Sequence, residues 1–353
     1  MNKLLEFIKS TIDYIYYWPN NGNLGDLLIA EATRQYFRRV GIKWKEYRPE
    51  TPPDEQEIVL VYGGGGRFTS HWGGIDVHLE HLTHSRVKTG IILPHSFFNV
   101  DWFILALDER HTLICREERS YNYCNSLSPK ASVLLGDDMG LQLKIDELRL
   151  LQKMPERINY DDEEEVLQYT LLQQGFEKHV LKSVRNSSII CAYEKQKLST
   201  AFLLRTDKEK SSLISSPLSF DISRVWNASC RETAFSAYFI RIFAEAIAQV
   251  EVIVTDRLHV GIMAYLNGKE VYLLDNDYGK LGGVYKQSLS DKPNVHLLTD
   301  GNLTPDLEAA WKKFNSPGRI VFYKIIRFIK CRSRFPICIT RFFIRKLTAF
   351  TSL

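Results

Sequence analysis

Apolar residues at Ile29, Ala32, Tyr36 and Val40 recur three and four positions apart and stop at Gly41, which predicts an amphipathic helix starting at Asp26 as its N-cap. Asn-Asn-Gly-Asn-Leu-Gly-Asp, residues 20–26, stands at its head. Two glycines there can form a simple tight turn. They can also let a ligand approach a helix N-terminus, which presents amides to an anion.

Short apolar runs follow at residues 57–66, ending in four glycines, at 89–97, at 111–120 and at 131–140. Their alternation with helical stretches predicts an α/β fold, a parallel sheet covered on both faces with polar or glycine residues at the strands' carboxyl ends. Open sheets of this kind bind ligands there. Residues 145–198 are instead rich in charge and helix formers, with few strand signals, and the acid run Asp161 to Glu165 reads as a solvated helix start. Alternation resumes with strands at 201–207, 250–256 and 270–277 and helices near 231–249 and from about 258. The expected organisation is an α/β domain over 1–145, a helical acidic connection over 146–198, a second α/β domain over 199–316 and a basic amphipathic tail over 317–353.

Length supports this division, since 353 residues exceed one core of roughly 150 residues. Six cysteines without a CxxC pair imply reduced thiols, a cytoplasmic setting and no structural metal. The first 19 residues, interrupted by Glu6, Lys9 and Asp13, lack the apolar run of a signal peptide. The net charge of +4 is uneven: residues 319–353 carry nine Lys or Arg and no acid, leaving the rest at −5. That tail has no 18-residue apolar run to span a membrane. Lys324, Arg327, Lys330 and Arg334 recur at helical spacing, with Phe322, Ile325 and Ile329 on another face. Such a segment either lies on the anionic inner face of the cell membrane or packs back across the body. Nucleic acid is not an expected partner, because the basic residues are confined to the tail.

Chemistry concentrates in residues 250–285. A buried strand ends at Val254, Thr255 or Asp256 caps a helix, and Arg257 and His259 occupy its first turn. A guanidinium, an imidazole and free amides at a sheet's carboxyl edge suit a small dianion that needs anchoring and a proton. Alternatively, Arg257 pairs with Asp256 or another carboxylate and His259 fills a gap. Lys280 follows the next strand and can reach the same edge. Gly63 to Gly66 lack the Lys-Ser/Thr of a P-loop, so close approach by ligand or neighbouring backbone accounts for them better than nucleotide binding.

Six motifs, in order, carry a resemblance: Gly-Asn-Leu-Gly-Asp (22–26), Tyr-Gly-Gly-Gly-Gly (62–66), Leu-Pro-His-Ser (93–96), Cys-Arg-Glu-Glu-Arg-Ser (115–120), Phe-Leu-Leu-Arg-Thr-Asp-Lys-Glu (202–209) and the long run from Thr255 to Lys280. Together they resemble the polysaccharide pyruvyl transferase family, and most closely its members that decorate bacterial exopolysaccharides. The resemblance implies two Rossmann-like domains facing a cleft, in a GT-B-like arrangement. It also implies phosphoenolpyruvate as donor substrate with no cofactor, and a sugar acceptor, lipid-linked or carried on a nucleotide, that receives a cyclic pyruvyl ketal as phosphate leaves. The family's Arg-Leu-His motif falls on Arg257, Leu258 and His259, tied to donor binding and catalysis, and its earlier arginine falls on Arg116. Many relatives have Gln where His95 stands, a departure that bears on any role for that residue.

The donor's two anionic groups need two or three cations, for which Arg116, Arg257, Lys280 and Arg205 are available at strand ends. His259 leads as acid or base, its free pKa being near neutral, and His95 is second. Asp26, Asp137, Asp138 and Asp207 all remain open as the group that deprotonates a hydroxyl. Asn23, Gly25 and Asp26, with Gly64 and Gly65, form the expected loop that holds the acceptor or closes over the donor. Two alternatives share these features: a GT-B glycosyltransferase using a nucleotide sugar, and an inactive subunit of a polysaccharide assembly complex.

Overall fold

The computed structural model describes residues 14–320 apart from 72, 152, 194–195, 208–209, 276–278 and 300–302. The basic run beyond Ile320, for which two placements were expected, lies outside the described residues. The fold is mixed α/β, with two largely parallel sheets.

The first sheet contains β1 (Ile15–Trp18), β3 (Trp44–Glu46), β4 (Ile58–Tyr62), β5 (Val87–His95), β6 (His111–Cys115) and β7 (Ser132–Leu135), in the order β3-β1-β4-β5-β6-β7. Every pairing in it is parallel. All five residues of β4 are buried, as expected of a continuous apolar run covered on both faces. Between β1 and β3, a two-residue strand β2 (Gly22–Asn23) leads into α1 (Leu24–Val40). Helices α2 (Ile75–Thr83), α3 (Asp101–Ala106) and α4 (Glu118–Ser126) connect the later strands.

Helices α5 (Ile145–Arg149), α6 (Glu163–Gln173) and α7 (Phe176–Asn186) occupy about half of the acidic region. Asp162 caps α6 by accepting the N–H groups of Glu164 and Glu165, so the acid run is a helix start as expected. The second sheet follows: β8 (Ser188–Tyr193), β9 (Gln196–Phe202), β11 (Val252–Thr255), β12 (Glu270–Leu274) and β13 (Val295–Leu298), in the order β13-β12-β11-β9-β8. Only β8 runs antiparallel. Its helices are α8 (Ser236–Ala248), α9 (Leu258–Leu266), α10 (Lys280–Ser288) and α11 (Pro305–Phe314). Among the described residues no helix is long and apolar enough to cross a membrane.

Two features tie the sheets together. Strand β2 pairs antiparallel with β10 (Asn227–Ala228), which precedes α8. The largest apolar cluster joins Leu24, Leu27 and Leu28 of α1 to Phe239 and Phe243 of α8 and to Val260 and Met263 of α9. Leu24, Leu27 and Leu28 therefore pack α1 on helices of the second sheet, which places the head of α1 against the start of α9, while Ile29, Tyr36, Phe37 and Val40 pack it on the first sheet.

Several local expectations change. Asn23, not Asp26, caps α1: its side chain accepts the Gly25 N–H at 2.8 Å, while Asp26 reaches back to the Asn23 N–H at 2.8 Å, a reciprocal capping box. Gly41 ends the helix in the left-handed conformation, as its position predicts. The helix expected from 231 begins at Ser236, after the Thr233 hydroxyl has accepted the Phe235 N–H in a turn. Strands β1, β3, β8 and β13 were not foreseen. β8 sits within the charge-rich stretch and pairs antiparallel with the next strand, β9, from Tyr193 opposite Gln196 out to Ser188 opposite Ala201, so its strand character comes from that pairing and not from the composition of the stretch around it.

Candidate active site

The carboxyl ends of β4 to β7 meet the N-terminus of α9 at the head of α1. Arg116, the first residue beyond β6, donates its backbone N–H to the His95 carbonyl at 3.1 Å and is 1% exposed. Its Nε donates to Ser96 Oγ at 2.8 Å and its Nη1 to Asp138 Oδ2 at 2.9 Å. Glu117 accepts from Ser96 Oγ at 3.0 Å and from the Ser120 hydroxyl, which fixes the serine that orients the guanidinium.

Asp138 follows β7 and is completely buried. One oxygen accepts the Gly140 N–H at 2.8 Å, capping a short 3-10 turn; the other, already bound by Arg116, lies 3.4 Å from His259 Nε2. Burial disfavours its charge, but His259, Arg116 and the Gly140 amide outweigh that cost and hold the carboxyl well below the usual carboxylate range. Arg116, Asp138 and His259 thus form a continuous polar chain from β6 to the first turn of α9.

Gly25 sits against the other side of the imidazole. A methyl group on its Cα would lie 2.6 Å from His259 Nδ1 and 3.0 Å from Asn23 Oδ1, so only glycine permits this approach. The residue's role is therefore tied to packing against the histidine. Asp26 turns aside, accepting from Asn20 Nδ2 at 3.2 Å as well as from the Asn23 amide.

Arg257 occupies the N-cap position of α9 itself, and the Thr255 hydroxyl accepts its N–H at 3.0 Å. Neither Thr255 nor Asp256 is the N-cap that the sequence suggested. Asp256 is used elsewhere, accepting the N–H groups of Arg205 at 2.7 Å and Ser211 at 2.9 Å, and burial raises its pKa despite those bonds. The Arg257 guanidinium forks onto Asp221 through Nε at 3.0 Å and Nη2 at 2.5 Å, and Nη2 also reaches Asp207 at 2.6 Å. Arg205 Nε donates to the other oxygen of Asp207 at 2.9 Å. Arg257 does pair with carboxylates, but with Asp207 and Asp221 rather than Asp256. No described residue hydrogen-bonds Nη1 of Arg257 or Nη2 of Arg116.

The candidate residues thus fall into two groups: Arg116 and His259 with Asn23 and Gly25, and Arg257 with Arg205. His95 lies beside the first group, completely buried, its Nε2 accepting the Arg67 N–H at 2.9 Å and its ring centroid 4.6 Å from that of Phe68. A Cβ on Gly64 would lie 2.8 Å from the Pro94 carbonyl oxygen, and Gly65 bridges to His95 at φ +142°. Neighbouring backbone accounts for the close approach at Gly64, whereas a Cβ on Gly65 would lie 2.8 Å from Asn20 Nδ2. Lys280 opens α10 after Gly279, and its side chain is outside the described set.

No local signal marks Asp221, an isolated acid in a loop, or the part played by Ser96, although Ser96 stands in one of the six motifs. A cleft of about 400 Å³ is lined by Trp18, Asn21, Tyr47, Glu50, Asp162 and Arg231 among others, and none of Arg116, Asp138, Arg257 and His259 borders it.

EpsO of Bacillus subtilis (strain 168), whose name carries pyruvyl transfer as an inferred activity, is 23% identical over 330 residues, covering 88% of this chain and 95% of that protein. The crystal structure of a functionally uncharacterized protein from Klebsiella pneumoniae superposes with a TM-score of 0.63 at 24% identity, over 84% of this chain and 98% of that one, a likeness of fold. The family model for polysaccharide pyruvyl transferases matches residues 23–278, from the capping box of α1 to beyond β12. The chain belongs to the polysaccharide pyruvyl transferase family and is a transferase enzyme.

Proposed function

We propose that the protein transfers the pyruvyl unit of phosphoenolpyruvate to two hydroxyls of one sugar in a surface or exopolysaccharide precursor, forming a cyclic ketal and releasing phosphate. The observation that carries this reading is the buried chain from Arg116 through Asp138 to His259, which sets a cation and a titratable imidazole side by side. Arg116 and Arg257 each keep one nitrogen for an incoming anion, as a donor with a carboxylate and a phosphate requires. Lys280 and Arg205 are further cations for the same donor. The two sheets would then be the Rossmann-like halves of a GT-B-like enzyme, but the second half begins near Ser188 rather than at 199, because β8 and the start of β9 lie inside 146–198, and the connection shortens to 146–187.

In this mechanism the His259 imidazolium gives its proton to the methylene carbon of the donor, whose π pair forms the new C–H bond. C2 becomes oxocarbenium-like. The first sugar hydroxyl bonds to C2 as its proton passes, through a carboxylate, back to the His259 imidazole; the second displaces phosphate, the C2–O bond breaking with its electron pair, and that hydroxyl's proton leaves on the phosphate. One donor and one diol become one ketal and one phosphate. Asp138 is poorly suited to deprotonate a hydroxyl, because it is buried and its acceptor positions are filled. Asp26 is committed to the capping box, and Asp137 accepts from Ser288 Oγ at 2.9 Å. Asp207 also accepts from Arg257 and Arg205, but its side chain is 26% exposed, so it stays a candidate for this step. His95 serves to hold the Arg67 loop rather than to move a proton.

The test is to incubate the purified full chain with phosphoenolpyruvate and saccharide acceptors, and to measure phosphate release together with the mass gained by the sugar. Both signals are expected in step. A requirement for a nucleotide-sugar donor would overturn the reading in favour of glycosyl transfer. Absence of turnover with every acceptor in a saccharide panel would favour an inactive subunit.

A further inference from the structure

The two nitrogens of His259 stand in different surroundings. Nε2 faces a carboxylate with no exposure at all, while the side chain as a whole is 16% exposed. The Cδ2 edge is covered as well, since a Cβ on Gly140 would lie 3.6 Å from that atom. Nδ1 is not among the fully buried polar atoms without a partner, and it is flanked by Gly25, where an added Cβ would lie 2.6 Å from Nδ1 and 3.0 Å from Asn23 Oδ1.

We propose that Asp138 is a positioning residue for the transfer reaction: locked by Arg116 and the Gly140 amide, it holds the proton of His259 on Nε2 and leaves Nδ1 as the nitrogen that exchanges a proton with the substrate. Other charged groups near the ring do not reverse this assignment. Asp26 on α1 is turned to Asn20 and the Asn23 amide, and Arg257 on α9 is held by Asp207 and Asp221. Arg116 acts on the ring only through the Asp138 oxygen that both share. An ionised carboxylate can only accept, so it selects the tautomer that donates from Nε2. The same logic governs other catalytic histidines, where replacing the orienting carboxylate by an amide selects the wrong tautomer and costs up to about 10⁴ in kcat. Gly25 and Asn23 then form the mouth through which Nδ1 meets the donor's methylene carbon. This assignment rests on His259 being the proton donor.

The experiment uses full-length protein labelled with ¹⁵N-histidine, read by long-range ¹H–¹⁵N correlation at a pH where His259 is neutral. The expected spectrum shows the proton on Nε2 and a bare Nδ1; a proton on Nδ1 overturns the proposal without recourse to any variant. In Asp138→Asn the side-chain amide can donate to Nε2, so the tautomer should switch, kcat should fall on the order of 10²-fold or more, and KM for phosphoenolpyruvate should change less than tenfold. An unchanged tautomer, a kcat within threefold of wild type, or a loss confined to KM would each refute the positioning role. If wild-type protein releases no phosphate from phosphoenolpyruvate, the functional reading fails, and the wild-type tautomer still decides what Asp138 does to His259.

Discussion

Gly25 and His259 approach so closely that one added methyl group would lie 2.6 Å from Nδ1 and 3.0 Å from the histidine Cβ. Gly25 lies in the first turn of α1, where alanine would ordinarily favour the helix by about 1 kcal/mol. Gly25→Ala should nevertheless push the imidazole away from Asp138. Transfer is expected to drop more than about tenfold while the chain stays folded, since other catalytic misplacements of about 1 Å cost on the order of 10²-fold. Steady-state rates beside a thermal melt check this; full activity would show that the ring is free to move.

Arg257 makes three hydrogen bonds to two carboxylates, and two of them form a fork on Asp221. A lysine keeps the charge but not the fork. Arg257→Lys should lower kcat/KM for the donor by on the order of 10², a loss comparable to removing one transition-state donor. Arg257→Ala should in addition destabilise the protein by about 3–5 kcal/mol, because Asp221 would remain buried without its counter-charge. Urea titrations of both variants separate the two effects.

Stability should also depend on Asp138 in a defined pH window. Its carboxyl is lowered in the folded state relative to the ordinary value of 3.8. A lowered carboxyl stabilises the fold above the unfolded pKa, and that contribution is lost as pH falls toward the folded value. Asp138→Asn should therefore flatten the loss of stability below about pH 4 and be less stable than wild type near neutrality. Denaturant midpoints measured between pH 2 and 7 test this, and parallel curves for the two proteins would contradict it.

His95 allows a conservative replacement to be informative. Its Nε2 accepts the Arg67 N–H inside an aromatic pocket, a contact that the carbonyl of glutamine can reproduce. His95→Gln should retain transfer within about tenfold, below the 10²-fold or larger loss typical of removing a general acid or base. A larger fall in kcat with an unchanged melting temperature would return His95 to the chemistry.

The basic segment beyond Ile320 gives a separate prediction from sequence. Several Lys and Arg residues at an anionic surface contribute about 1 kcal/mol each. The full chain should sediment with anionic vesicles at low salt and be released by high salt, and a chain ending at Ile320 should not bind. Ending there preserves Arg319, which donates to the Asn186 carbonyl at 2.9 Å. Equal sedimentation of both chains would assign any binding to the body.

Much of this arrangement was legible because its signals are local. β4, β5, β6 and β11 are apolar runs that end in distinctive residues, and Arg116, Arg257 and His259 stand at those ends. What the sequence hid depends on partners far along the chain. Asp138 was visible as one acid among several, but its pairing with His259 spans 121 positions, and Arg257 finds Asp221 36 positions away. Asn23 was passed over as the cap because Asp26, an equally good capping type, stood next to the apolar stripe; the reciprocal bonds between them use both.

The packing of α1 on α8 also has a consequence during synthesis. Leu27 and Leu28 are covered by Phe239 and its neighbours, made roughly 200 residues later; at about 5–20 residues per second, that face stays uncovered for roughly 10–40 s on the ribosome. The first sheet can pair its strands in that interval, but the head of α1 cannot reach its final environment until α8 emerges. The nascent chain thus carries an apolar stripe beside its future catalytic centre, which makes this helix the natural client of a chaperone and the place where a translation pause would do most harm.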